Sequence, residues 1–486
     1  MKRILNFLFK NQSLRQTVIK NTFWLTLGQL SSKLIKAVLI IYAARVLGAG
    51  EYGIFSYALG LAGFFTLFSD IGISWLLTRE AAKQEEVQKN YIGTALVIKF
   101  ALILLGAGAI LFLAPQFTKI PAALSLLPAI AILLALDSLR EFSFSIIRAR
   151  ERMELEAGIN IVTNTGITVF GLIILFASPT SEMLTFAYLG GSGLGLLVSI
   201  LLLKKYFLGI WRFFKSGLVR TIIRDAWPFA FLGMLGSIMI NTDMIMLGWL
   251  TDAENVGFYS AAQKPIQLSY ILPGILIISL FPSLARFARS NNEKFKEILE
   301  NVLSISFLFA IPLALGGFIF AKDFIELLFG NNYAPAAPAF ALLSFTLLVV
   351  FPGMMIGNSL FAYNEHRRII KYVLLGIVAN GALDYALIPA YGLKGVAVAT
   401  IVAELVTNGF IWREMQKVNQ FTVLRRISRI LAAGCIMAAS AIIMKHVDMP
   451  FVPNVLVSAA IYGILLVLFR EPLIKIFKNR PEERPA

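Results

Sequence analysis

The chain has few of the side chains from which most enzyme and metal centres are built. In 486 residues there is one cysteine, Cys435, and there are two histidines, His366 and His446. A single cysteine excludes a disulfide framework and a Cys-based metal site, and two histidines far apart in the chain do not make a histidine site. No P-loop, no Ser–His–Asp set and no metal-ligand spacing is present, so no cofactor is expected. Charge is scarce too. Asp, Glu, Lys and Arg make up 15% of the residues, against about 25% in an ordinary soluble domain. Long polar loops are missing, and none could fold as a separate domain. The first twenty residues lack a continuous apolar core and a small-residue cleavage site, so no cleavable signal peptide is expected.

What is present is apolar surface. Hydrophobic residues form 58% of the chain, and the mean hydropathy is +0.77. Runs of roughly 20 apolar residues, each long enough to cross a bilayer, recur from end to end. They predict fourteen spans at 22–46, 52–77, 91–114, 121–147, 157–177, 183–203, 225–250, 256–285, 299–320, 336–362, 370–389, 394–412, 429–445 and 451–469. The expected fold class is an all-α polytopic membrane protein.

The net charge of +16 is not gathered into a nucleic-acid face. With the N-terminus inside, 34 of the 44 Lys and Arg fall on cytoplasmic segments, and only Lys119, Lys322, Lys394 and Lys445 fall outside. That asymmetry predicts a cytoplasmic (inner) membrane location with both termini cytoplasmic, and anionic headgroups account for the basic excess. Ile4, Leu5, Leu8 and Phe9 among Lys2, Arg3 and Lys10 read as a short amphipathic helix on the inner surface. Residues 204–224, with six cations around Trp211, Phe213 and Phe214, read as a second one.

An internal repeat organises the spans. A shift of 204 residues lays Ile19, Lys20 and Asn21 over Ile223, Arg224 and Asp225, Phe23 over Trp227, and Gly53, Phe55 and Ser56 over Gly257, Tyr259 and Ser260. Six spans separate the two starts, so the copies share a topology. The expected organisation is an amphipathic segment (1–20), an N-lobe of six helices (21–203), an interfacial linker (204–224), a pseudo-symmetric six-helix C-lobe (225–412), a C-terminal helix pair (413–470) and a cytoplasmic tail (471–486). The last pair has no repeat partner and is expected at the periphery or along a lipid-facing groove.

Polar residues inside the spans are the functional candidates, because a charge at the bilayer centre costs roughly 2.5–3.5 kcal/mol even on translocon scales. Gln29, Ser32, Lys33 and Lys36 share one face of the first span, which implies a polar cavity along it; structural pairing with an acidic neighbour is the alternative. Asp70 and Asp243 are also deep, as counter-charges, coupling-ion ligands or glycan acceptors. The eighth span carries a polar stripe with Lys264 and Gln267, and Pro265 and Pro273 make it a candidate gating hinge. Glu404, with Thr400, Thr407 and Asn408 on its face, is a candidate proton or coupling-ion carrier. Asp137 and Arg140 are expected to pair locally, while Lys99 and Arg45 are expected to snorkel to an interface. Without a nucleotide site, energy must come from an H⁺ or Na⁺ gradient, the membrane potential or the substrate's own gradient.

Residues 45–58 (RVLGAGEYGIFSYA) resemble the first-loop signature of the Wzx-type polysaccharide-export flippases, within the multidrug/oligosaccharidyl-lipid/polysaccharide exporter superfamily. Residues 243–250 (DMIMLGWL) and 256–262 (VGFYSAA) repeat the resemblance in the second copy. Span count and repeat fit that family along the whole chain. The resemblance implies alternating-access translocation of a polyprenyl-diphosphate-linked oligosaccharide from inner to outer leaflet, with glycosyltransferases or a polymerase as partners. It implies no enzyme activity and no nucleic-acid partner. Lys33, Lys36 and Asp243 are the positions that carry over. Within the same superfamily, a cation-coupled multidrug or metabolite exporter fits less well with a lysine-lined face. A lipid II flippase fits less well because its Asp-Ala-Phe run is replaced by Glu51-Tyr52-Gly53. A membrane polymerase or ligase would need a sizeable external loop.

Overall fold

The computed structural model describes residues 9–80, 85–207, 209–365 and 367–469. The expected N-terminal amphipathic residues Ile4, Leu5 and Leu8, together with His366 and the tail from 471, lie outside the described residues.

Among the described residues the chain is helical. The first compact unit, Met1–Ser260, contains α1 (Leu14–Ser69), α2 (Ile73–Glu80), α3 (Glu85–Phe112), α4 (Pro121–Leu124), α5 (Leu127–Ala149), α6 (Met153–Ala177), α7 (Ser181–Leu202), α8 (Lys204–Phe207) and α9 (Ser216–Leu250). It ends inside α10 (Ala253–Ser269). The second unit, Ala261–Ala486, continues with α11 (Ile271–Ser290), α12 (Asn292–Ile319), α13 (Ala321–Phe329), α14 (Ala337–Ser344), α15 (Leu347–Ala362), α16 (Arg367–Tyr391), α17 (Leu393–Val418), α18 (Leu424–His446) and α19 (Phe451–Leu468). In hydrocarbon a helix satisfies every backbone donor and acceptor within its own segment, which is why apolar runs of this length become helices. Side chains finish the ends: Thr180 and Asn291 accept the N–H of Met183 and Lys294 at 3.2 and 3.0 Å, as N-caps do.

The fourteen predicted segments fall mostly on helices, several of them interrupted. Among the described residues nine helices are long and apolar enough to cross a membrane, or eleven if each of two bent pairs is one span. The first two predicted spans form the run α1, broken at Gly48 (φ 73°). The fourth is divided into α4 and α5, and α5 carries Asp137, Arg140, Glu141 and Arg148. The chain is an all-α, multi-pass membrane protein.

Several boundaries differ from the sequence reading. The second span is not one helix to residue 77: α1 ends at Ser69, and the chain turns through Asp70 and Gly72 (φ 80°) before α2. The basic linker is not a continuous helix, because Gly209 adopts a left-handed conformation (φ 70°) between α8 and a short 3-10 turn, Ile210–Phe213. In the eighth span α10 and α11 are separated at Tyr270, four residues before Gly274 and one turn before Pro273. Pro273 cannot donate to Ser269 and Pro282 cannot donate to Ile278, and the chain bends by 49° between Ala253–Ile278 and Leu280–Ala288. Missing i to i−4 donors account for both positions. Pro265 sits within α10, which runs on past it.

Each unit has its own core. Leu77, Leu96, Phe142, Ile146 and Ile222 are buried together in the first. Phe295, Leu299, Ile356, Met415 and Ile430 are buried together in the second.

Candidate functional site

The first unit gathers most of the predicted polar residues. On α1, Gln29 and Lys33 are exposed and Lys36 is half-buried. The Lys36 ammonium sits 4.8 Å from the ring centroid of Tyr188 on α7, a cation–π contact. Asp137 of α5 meets the same helix, because Ser192, one turn beyond Tyr188 on α7, donates to it at 2.9 Å. Neither Lys33 nor Lys36 makes an ion pair among the described residues.

At the end of α1, where the chain turns through Asp70 and Gly72, a cavity of about 430 Å³ opens, lined by Asp70, Trp75, Lys99, Asp137, Arg140 and Glu141 with several hydroxyls. Asp70 accepts from the Lys99 ammonium at 2.8 Å and from the Ser74 hydroxyl. Lys99 is 0% exposed, so it does not snorkel as expected. Helix α3 turns it inward onto Asp70, which the break at Gly72 leaves facing it. Arg140 pairs with Asp137 at 2.8 Å in the expected i, i+3 geometry. Glu141 pairs with Arg148 at 2.6 Å, and Ser192 donates to Asp137 at 2.9 Å. Arg140 Nε is buried with no hydrogen-bond partner among the described residues.

Asp243 lies apart from this cavity. It is buried and accepts the hydroxyl proton of Tyr259, next to a knot in which Ser260 donates to Ser56 at 3.1 Å and approaches the Tyr52 hydroxyl at 3.5 Å. Ser56 and Ser260 are repeat equivalents, 204 residues apart, and meet each other. Around them Gly53 and Gly257 let backbone touch backbone: a Cβ on Gly53 would lie 2.8 Å from Gly257 N, and one on Gly257 would lie 2.8 Å from the Ala49 carbonyl carbon. The signature glycines of both copies are required by this close approach.

The second unit holds the remaining candidates. Lys264 and Gln267 are half-buried on α10. Glu404 is half-buried on α17 and accepts from the Asn408 side chain at 2.7 Å. Sequence reading passed over Asp384 of α16, which is 0% exposed, with Asn380 one turn earlier at 5%; their i, i+4 spacing in an apolar run was the available signal. This unit also contains an apolar cavity of about 580 Å³, walled by Phe309, Phe320, Phe324, Val455 and Tyr462 among others. The C-terminal pair α18 and α19 supplies one side of it through Met437, Ala441, Val455 and Tyr462.

Helices in this order give a fold shared with solved membrane transporters. A solved lipid II flippase MurJ in an inward closed conformation matches with TM-score 0.74 at 17% identity, covering 91% of this chain and 98% of that one. An inward-facing multidrug resistance MATE family transporter matches with TM-score 0.61 at 17% identity, covering 86% and 98%. Residues 18–288 match the family model described as polysaccharide biosynthesis protein, and the chain belongs to that family. Relatives include a probable low-salt glycan biosynthesis flippase, Agl15, of Haloferax volcanii, 22% identical over 75% of this chain and 76% of the relative. A putative O-antigen transporter of Shigella flexneri is 23% identical over 79% and 94%. The succinoglycan biosynthesis transport protein ExoT of Rhizobium meliloti is 22% identical over 95% and 94%.

Proposed function

We propose that this protein is a flippase that carries a polyprenyl-diphosphate-linked oligosaccharide from the inner to the outer leaflet of the cytoplasmic membrane, by alternating access, for surface polysaccharide assembly. The observation that carries the reading is the lysine face of α1: Lys33 and Lys36 make no ion pair among the described residues, and Lys33 is exposed. The family and the transporter fold support it.

A diphosphate and its sugars cannot cross hydrocarbon, whereas a polyprenyl tail can remain in it. The protein therefore has to offer the head a positive, hydrated path and the tail an apolar one. A phosphate charge about 4 Å from an ammonium gains about 4 kcal/mol at an effective dielectric of 20, enough to hold the head and small enough to release it. The apolar cavity of the second unit, whose hydroxyls among the described residues are those of Ser269, Ser344, Ser458 and Tyr462, suits a prenyl chain. On this reading both termini face the cytoplasm, Glu404 carries a coupling H⁺ or Na⁺, and glycosyltransferases supply the cargo.

Replacing both lysines (Lys33→Ala with Lys36→Ala) is expected to abolish glycan export while leaving membrane insertion intact, measured as surface glycan against protein level in a complemented deletion strain. Undiminished export would refute the role of the lysines.

A further inference from the structure

The cavity at the C-terminal end of α1 differs from the lysine face in a way that sets its ligand chemistry. Lys99 and Arg140 stand against Asp70, Asp137 and Glu141, so its walls carry no net positive charge to attract a diphosphate. Each charge is already matched: Lys99 by Asp70 at 2.8 Å, Arg140 by Asp137 at 2.8 Å and Glu141 by Arg148 at 2.6 Å. What is left is a mixture of carboxylate lone pairs, hydroxyls and the unmet N–H of Arg140 Nε, beside the indole of Trp75, which is 67% exposed.

A pyranose asks for this combination. Its hydroxyls both donate and accept, and they suit carboxylates and guanidinium groups held in place by their own ion pairs. Its C–H face packs on an aromatic ring, where Trp offers the largest area. A volume of about 430 Å³ falls within the roughly 300–1,000 Å³ of small-ligand sites and holds about one or two sugar rings. Lys36, which belongs to the lysine face, lies 4.8 Å from the Tyr188 ring, and one turn along α7 Ser192 donates to Asp137 of the cavity at 2.9 Å, so the two sites adjoin within the first unit.

We propose that this cavity is the glycan subsite, in which Trp75, Arg140 and the Asp70, Asp137 and Glu141 carboxylates select the sugars next to the diphosphate held at Lys33 and Lys36. This rests on the flippase reading above and names the part of the cargo that the cavity recognises.

The test compares binding of two probes to the purified full-length protein in nanodiscs: polyprenyl diphosphate alone, and the same lipid carrying the host oligosaccharide. Trp75→Leu is expected to weaken the glycosylated probe about tenfold, the scale of a lost aromatic face, and to leave bare polyprenyl diphosphate within twofold. Trp75→Phe, which keeps an aromatic face, should restore most of the loss, and unfolding midpoints show that both variants fold. The Lys33→Ala, Lys36→Ala pair should weaken both probes alike. Equal loss of both probes in Trp75→Leu, or no loss of either, overturns the subsite. Failure of the wild-type protein to bind either probe overturns the flippase reading itself.

Discussion

Removing the Lys99 ammonium is the sharpest test of how the first unit is held together. The pair with Asp70 spans 2.8 Å, with the Lys99 side chain 0% and the Asp70 side chain 24% exposed. Breaking a sealed ion pair costs about 3–5 kcal/mol, because the partner is left charged and unmatched. In Lys99→Met the stranded group is Asp70, which keeps two donors from Ser74, an N–H at 3.4 Å and the hydroxyl, and some contact with water. The expected loss is therefore lower, about 2–3 kcal/mol. In Asp70→Asn the stranded group is a wholly buried ammonium, and the loss should reach about 3–5 kcal/mol. The double variant should recover about 2 kcal/mol of the summed losses, the signature of two side chains in direct contact. Denaturant unfolding in mild detergent, followed by fluorescence, gives all four corners of the cycle. A Lys99→Met protein as stable as the wild type, or losses that simply add, would refute the claim that this pair is a buried and coupled contact.

Three further outcomes are expected. Gly53→Ala places a Cβ 2.7 Å from the Ala253 carbonyl carbon and 2.8 Å from Gly257 N, backbone atoms that no rotamer change can move. It should destabilise by about 1–3 kcal/mol, whereas Gly50→Ala, with nothing within 4 Å, should be neutral in the same unfolding assay. In a Cys435→Ser background, Ser56→Cys with Ser260→Cys should cross-link on mild oxidation, since the two hydroxyl oxygens are 3.1 Å apart. Export should stop when the link forms and return on reduction; export at the wild-type rate by fully linked protein would show that these segments never part. Glu300 is buried in the second unit and meets the N–H of Thr422 at 2.8 Å and Arg426 at 2.6 Å. Glu300→Gln should cost about 1–3 kcal/mol and raise the susceptibility of the segment around Thr422 to proteolysis.

Much of this protein can be read without a structure. Hydropathy placed the apolar runs that became helices, of which nine to eleven among the described residues are long and apolar enough to cross, because a chain in lipid has to satisfy its backbone locally and advertises a crossing by its length. The 204-residue repeat paired Ser56 with Ser260, and the two do hydrogen-bond. The Arg140–Asp137 pair followed from spacing alone. Lys99 shows where such reading stops: its position along α3 suggested an interface, yet it is sealed against Asp70. The break that turns Asp70 toward it needed Gly72 at φ 80°, and Trp75 was not singled out because nothing in its own neighbourhood marks a cavity wall. Periodicity states how deep a residue lies along its own helix and on which face. Which helix stands opposite that face, and so whether a charge meets water, lipid or a carboxylate, is decided by contacts between segments far apart in the chain, which exist only once the helices have packed.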